Sequence, residues 1–259
     1  MTLIRKESKS TYLILQLNRP KVNALNLQMV EEIREAFKEA EADDGVQGVI
    51  LTGFPGIFSA GLDLIELYDY DREKMRVFFK AFGLMHIELA EFSKPFICAL
   101  TGHSPAGGTV IAVAADYRIM AEGEKFGIGL NEVAVNVQIT HNLVKAYVFW
   151  LGQRNAYQAV MDGKLFNPAE ALAVGLVDEV VPMEDVLPRA EKKMQQYLRA
   201  NRNILVKTKA VLRRDWLEGL REGSENAMKK TEEVWWSDEV RQQMKMFKAM
   251  LQSKKAVSQ

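Results

Sequence analysis

Apolar and polar positions follow two different rhythms along residues 1–185. Residues 12–17 (Tyr-Leu-Ile-Leu-Gln-Leu) predict a strand that stops at Asn18-Arg19-Pro20. Val30, Ile33, Phe37 and Ala40 then recur at helical spacing, with Asn26 placed to cap that helix. Residues 46–52, ended by Gly53, predict a second strand. Residues 71–92 predict a long amphipathic helix, with Val77, Phe78, Leu84 and Ile87 among its apolar positions. Residues 95–101 read as a third strand, and 106–115 as a short, almost wholly apolar helix. Residues 117–121 and 176–181 are further strands. Apolar strands alternating with helices imply an α/β fold built on a mainly parallel, buried sheet.

After Val181 the strand rhythm stops. Residues 185–200, 204–220 and 224–251 predict helices, broken near Asn201 and Gly223. The change divides the chain into residues 1–185 and a helical segment, residues 186–259. In the last helix Trp235, Trp236, Met244, Phe247 and Leu251 offer a large apolar surface. Either the chain's own first part or a neighbouring subunit would cover it.

Charge sharpens that division. The 259 residues carry 34 basic and 34 acidic side chains, a net charge of zero. Residues 186–259 hold 17 Lys/Arg against 9 Asp/Glu, and residues 1–185 hold 17 against 25. A zero balance argues against a nucleic-acid partner. An apolar fraction of 48% excludes general disorder. The single cysteine excludes an internal disulfide and any zinc site built on two or more cysteines. No cluster has metal-ligand spacing. No run reaches the ~18 apolar residues of a membrane span. The longest uncharged stretch, residues 97–115, is interrupted by His103, Pro105 and three glycines. Residues 1–9 are polar, with no apolar stretch behind them, and the final Ala-Val-Ser-Gln is not a Ser-Lys-Leu signal. The expectation is a cytoplasmic protein that meets no membrane.

Candidate chemistry concentrates in two glycine turns. One is Phe54-Pro55-Gly56-Ile57-Phe58-Ser59-Ala60-Gly61-Leu62-Asp63-Leu64, just past a strand. The other is Gly102-His103-Ser104-Pro105-Ala106-Gly107-Gly108, between a strand and a helix. Either alone reads as an ordinary strand exit that needs glycine. Together they are able to aim backbone N–H groups at one anion or developing oxyanion. Their spacing is neither the dinucleotide G-x-G-x-x-G nor a P-loop. Gly102-His103-Ser104 imitates a hydrolase nucleophile elbow, but the donor after the serine would be Pro105, which has no N–H.

Asn18-Arg19-Pro20-Lys21-Val22-Asn23-Ala24-Leu25, Phe58-Ser59-Ala60-Gly61-Leu62-Asp63-Leu64 and Pro105-Ala106-Gly107-Gly108 with Asp116-Tyr117-Arg118-Ile119 resemble the enoyl-CoA hydratase/isomerase (crotonase) family. Residues 165–181, with Ala169-Glu170-Ala171-Leu172-Ala173-Val174-Gly175-Leu176-Val177-Asp178, are similar to it as well. The resemblance implies a crotonase-like spiral of β-β-α units with a helical C-terminal segment that builds homotrimers or hexamers. It implies an acyl-CoA thioester substrate in fatty-acid metabolism, with coenzyme A arriving as part of the substrate and no separate cofactor. The oxyanion donors would be the N–H groups of Leu62 and Gly107. Val22, Ala24, Ala60, Asp63 and Leu64 would lie along the CoA moiety, largely through backbone groups, with Pro105 and Gly108 completing the substrate-binding turn. Basic residues of 186–259, and Lys21 at the entrance, would meet the phosphates.

Members of that family differ in their acid–base groups. Hydratases use two glutamates. The position of the first is Val110 here, and the position of the second is Glu132, in Ile128-Gly129-Leu130-Asn131-Glu132. Leu-Asn-Glu resembles the Δ3,Δ2-enoyl-CoA isomerase branch, in which one glutamate moves the proton. Glu132 is flanked by Ile128, Leu130, Val133, Val135 and Val137, and an apolar setting would raise its pKa above ~4.3. Residues 133–141 replace the Gly- and Pro-containing segment found in many relatives, so His103, Asn136 and His141 are further candidates for the pocket wall. His86 and Cys98 read as structural. The expectation is a double-bond shift from a 3-enoyl to a 2-enoyl thioester. Hydration, thioester hydrolysis or non-catalytic binding of a CoA ester are the alternatives.

Overall fold

The computed structural model describes residues 2–135, 137, 139–221 and 224–257. Asn136 and Gly223 lie outside the described residues, as does the side chain of Leu251. The chain starts with an antiparallel pair, β1 (Ile4–Ser8) and β2 (Leu13–Leu17), followed by α1 (Leu27–Ala42). Three similar passages come next. The first is β3 (Val49–Thr52), β4 (Gly56–Ile57), α2 (Leu64–Tyr68) and α3 (Arg72–Glu91). The second is β5 (Phe96–Leu100), β6 (Gly102–Pro105) and α4 (Gly107–Ala114). The third is β7 (Tyr117–Ala121), β8 (Ile128–Gly129) and α5 (His141–Met161). Then follow α6 (Pro168–Ala173), β9 (Glu179–Val181), α7 (Val186–Leu198), α8 (Arg202–Arg221), α9 (Ser224–Trp235) and α10 (Asp238–Val257).

In each passage the longer strand joins one sheet and the shorter strand another. The large sheet has the order β1-β2-β3-β5-β7-β9, parallel from β2 onward. The small sheet has the order β4-β6-β8, also parallel. This is the expected spiral of β-β-α turns. The turns stack closely at Gly102, where a Cβ would lie 2.2 Å from the carbonyl of Gly56, so no other residue fits there.

Both faces of the inner strands of the large sheet are covered, which explains the unbroken apolar runs of β3 and β5. On one face α1 buries Met29, Val30, Ile33, Phe37 and Ala40, and α3 buries Met75, Phe78, Met85 and Leu89. Asn26 and Asp71 cap these helices, accepting from the N–H groups of Met29 and Lys74. Val77, expected on the apolar face of α3, is exposed instead. The core face runs through Phe78, Ala81 and Met85, one residue out of phase with it. On the other face Val186, Ala190 and Met194 of α7 pack against Ile14, Ile50, Ile97 and Ile119. The core of the first part therefore extends past position 185.

The C-terminal helices differ from expectation in one respect. The single helix expected over 224–251 is two, broken at Trp236-Ser237. Ser237 Oγ donates to the Val234 carbonyl at 2.8 Å and receives the Val240 N–H at 3.4 Å, ending one helix and starting the next. The break lets Trp235 and Met244 turn inward. Trp235 meets Phe79 of α3 edge to face at 5.7 Å, and Arg241 donates to the Tyr68 carbonyl at 3.0 Å. Much of the predicted apolar surface is thus consumed within the chain, while Met246 and Phe247 stay exposed.

Candidate active site

The first glycine turn is anchored by the residues around Asn23. This buried side chain, in a left-handed backbone conformation, donates to the Phe58 carbonyl at 3.0 Å and accepts the Arg19 N–H at 2.9 Å. Ser59 Oγ donates back to the Asn23 carbonyl at 2.8 Å. Leu25 then bridges to Leu62: its N–H donates to the Gly61 carbonyl, and its own carbonyl accepts from Asp63. In a parallel bridge the residue between those two contacts directs its N–H the other way. Leu62 N–H therefore points away from Leu25, and among the described residues it has no backbone acceptor.

The second turn meets the first at Gly61. A Cβ on Gly61 would lie 3.2 Å from the Gly107 nitrogen and 3.0 Å from the Pro105 carbonyl, and Gly61 has φ +78. The N–H groups of Leu62 and Gly107 are thereby brought together. Gly107 is the first residue of α4, where no N–H has an intrahelical partner and the helix dipole is positive. Ala106 before it is held at φ 46, ψ −114, a strained conformation for a residue with a Cβ. Strain of this kind persists only where the surroundings enforce it, here through an Ala106 N–H bond to the Gly129 carbonyl at 2.9 Å.

That bond also brings up the third segment. Ser104 and Pro105 of β6 pair with Ile128 and Gly129 of β8, and the chain continues through Leu130 and Asn131 to Glu132. The Leu130 N–H donates to the Tyr147 hydroxyl at 3.2 Å, fixing the segment against α5. Glu132 is 7% exposed, and among the described residues its Oε2 has no hydrogen-bond partner. Burial pushes its pKa up to about 7, against the opposing pull of its own backbone N–H. Val110, on the first turns of α4, is wholly buried in the core beside His86.

The other candidates separate by role. The Asp63 carboxylate caps α2 through the Glu66 N–H and pairs with Arg19 at 2.6 Å, while its carbonyl accepts from Leu67. Its side chain is committed to the scaffold. Val22 is exposed, and its carbonyl accepts from Ala60 N–H. Ala60 is exposed, Leu62, Leu64 and Pro105 are half-buried, and Ala24, Gly107 and Gly108 are buried. His103 Nδ1 accepts from Gly127 N–H at 3.1 Å and its ring packs on Phe126, so it braces the small sheet. His141 is exposed at the start of α5. His86 is buried, and desolvation lowers its pKa to about 4. Cys98 is buried with a raised pKa. Tyr147 escaped the sequence reading because α5 is apolar on several sides and broken at Gly152 (φ 73), so no single stripe marks it.

Comparison with known proteins agrees with this geometry. The enoyl-CoA hydratase/isomerase family model matches residues 7–254. The chain is 38% identical over 219 residues to the mitochondrial enoyl-CoA delta isomerase 1 of Rattus norvegicus, covering 84% of this chain and 76% of that one. It is 34% identical over 254 residues to the Mus musculus protein of the same name, covering 98% and 88%. The crystal structure of human mitochondrial delta3-delta2-enoyl-CoA isomerase superposes with a TM-score of 0.93 at 30% identity, covering 98% of this chain and 99% of that chain. Two glycine turns that meet at Gly61, a buried carboxylate and a family match along nearly the whole length lead to one conclusion: the chain belongs to the enoyl-CoA hydratase/isomerase family.

Proposed function

We propose that this protein is an enoyl-CoA isomerase that shifts the double bond of a 3-enoyl-CoA to the 2-position. The observation that carries this reading is the buried carboxylate of Glu132, whose Oε2 has no hydrogen-bond partner among the described residues, with Val110 where a hydratase has its other carboxylate. Glu132 takes a proton from C2 of the thioester. The electrons move onto the thioester oxygen as a dienolate, which the N–H groups of Leu62 and Gly107 stabilise. Glu132 returns a proton at C4, leaving the conjugated 2-enoyl product. No water is consumed, so one carboxylate suffices. The donors act on charge that exists only after the proton has left, so they favour the transition state over the bound substrate.

Coenzyme A lies along Val22, Ala24, Ala60, Asp63 and Leu64 in this reading, with Pro105 and Gly108 behind the thioester. Basic residues of 186–259 meet its phosphates, and no resident cofactor is required. The similarity to mitochondrial enoyl-CoA delta isomerases supports the reaction class. Purified protein is to be incubated with 3-enoyl-CoA and with 2-enoyl-CoA, and the products weighed. A mass-neutral shift of the 3-enoyl ester is expected; gain of water or release of free CoA would refute the reading.

The assembly we propose is a homotrimer or hexamer, built by the helical segment 186–259 on the catalytic unit 1–185. Support comes from Phe149 and Tyr157 on α5 and Val211 and Leu212 on α8, apolar side chains left exposed in the single chain. A monomer at micromolar concentration in sedimentation velocity would refute it.

A further inference from the structure

The two ends of α4 are built differently. Its first N–H, at Gly107, has no backbone acceptor among the described residues, whereas its last carbonyls each receive a side chain. Helix geometry orphans the terminal carbonyls. Here those of Val113, Ala114 and Ala115 each receive a side chain from a different element. The Trp150 indole of α5 donates to Val113 at 2.7 Å, Arg213 of α8 to Ala114 at 2.9 Å, and Arg118 of β7 to Ala115 at 3.1 Å.

The donors interlock. The Arg118 guanidinium lies 3.7 Å over the Trp150 ring and pairs with Asp178 at 2.7 Å. Arg213 pairs with Asp116 at 2.8 Å and also holds the Ala90 carbonyl of α3 at 2.9 Å. Lys209 is the second partner of Asp116, at 2.7 Å. Arg118 is 0% exposed and Arg213 3%. Two buried guanidiniums are costly to desolvate, and apolar residues of similar volume would serve packing alone as well.

We propose that Arg213 and Arg118, together with Trp150, are positioning residues for the oxyanion donor at the far end of α4. They clamp the helix from its C-terminal end, so the Gly107 N–H, eight residues and about 12 Å away, is held in place. They also neutralise the negative pole of a dipole carrying about half a charge at each end, which leaves the positive pole at Gly107 uncancelled. The enolate oxygen gains its charge only after proton transfer, so the benefit falls on kcat rather than on substrate binding. Arg213 comes from the basic helical segment, which ties that segment to the chemistry through packing inside one subunit.

This inference rests on the reading of Gly107 as an oxyanion donor, and two measurements separate the claims. One is kcat and KM on 3-enoyl-CoA. The other is the carbonyl stretch of bound 2-enoyl-CoA by Raman difference spectroscopy, which reads polarisation of the thioester without turnover. Arg213→Gln is expected to lower kcat about tenfold with KM within about twofold, and to move the bound carbonyl stretch back toward its free value. Arg213→Lys keeps the charge and is expected to recover most of the kcat. Trp150→Phe, which removes one donor and no charge, should shift both measurements in the same direction by less, and it decides the matter if Arg213→Gln does not fold. Unchanged kcat and carbonyl stretch in a folded variant would overturn the proposal, as would a loss expressed wholly in KM. Should the wild type neither turn over 3-enoyl-CoA nor polarise the 2-enoyl carbonyl, the reading of Gly107 fails and the proposal with it.

Discussion

Replacing Glu132 with Gln should abolish turnover and at the same time make the folded protein more stable at alkaline pH. Glutamine keeps the size and one hydrogen-bonding oxygen but cannot accept the C2 proton. General acid–base catalysis contributes ~10²–10⁴-fold, and a loss at or beyond that range is expected. The stability effect follows from burial. Glu132 is raised from 4.5 to about 7 in the folded protein by desolvation. Below the lower value it is protonated in both folded and unfolded chains and contributes nothing. As pH rises toward the upper value, the unfolded chain releases its proton while the folded chain retains it, so the wild type loses stability. Above the upper value the full cost of desolvating the anion is present, about 3 kcal/mol for a displacement of this size. Glu132→Gln has no such dependence. Urea unfolding of both proteins should therefore show a stability gap that widens by about 3 kcal/mol between about pH 4 and about pH 8, in favour of the variant. The wild-type kcat/KM should rise with pH about a midpoint near 7, because the base must be ionised. Turnover retained in the variant, or a gap equal at the two pH values, would refute the reasoning.

Other outcomes can be checked alongside. Gly61→Ala puts a Cβ 3.0 Å from the Pro105 carbonyl at φ +78 and pushes the two turns apart, so kcat should fall by ~10²-fold or more while secondary structure by circular dichroism is unchanged. Asn26→Ala removes the cap of α1 and a donor to Glu66, and should lower the unfolding free energy by about 1–2 kcal/mol with kcat within about twofold. Cys98 is buried with a thiol pKa pushed up by desolvation, so a water-soluble thiol reagent at pH 8 should leave the native protein unmodified and label it fully in denaturant. Rapid native-state labelling would show that the strand is open to solvent.

How legible the fold was depends on where each element finds its stability. Strands β3 and β5 are buried along their length, and their apolar runs stand out in the sequence within a few residues of their observed limits. Helix α1 was legible through its period and its Asn26 cap. Strands β4, β6 and β8 were not. They are two to four residues of Gly, Pro, Ser, His and Ile, too short to show a period, and they exist because three neighbouring strands of the large sheet deliver them side by side. The break at Ser237 was hidden because its two hydrogen bonds look no different in sequence from those of a serine inside a long helix.

The sequence by itself determined the order of the glycine turns, the absence of a carboxylate at Val110, the presence of one at Glu132 and the basic bias of the last third. Those are matters of residue identity and local spacing, which need no neighbours distant in the chain. Only the tertiary structure decided which of these groups are buried and which are bonded. Among the described residues, Leu62 N–H has no backbone acceptor because Leu25 occupies its neighbours, and Gly107 N–H has none because α4 starts there. Glu132 becomes a stronger base because distant segments close over it, whereas the Asp63 carboxylate is held by Arg19 and the cap of α2. Desolvation and hydrogen-bond satisfaction depend on everything within a few ångströms, and the chain places residues there that are tens of positions apart in sequence.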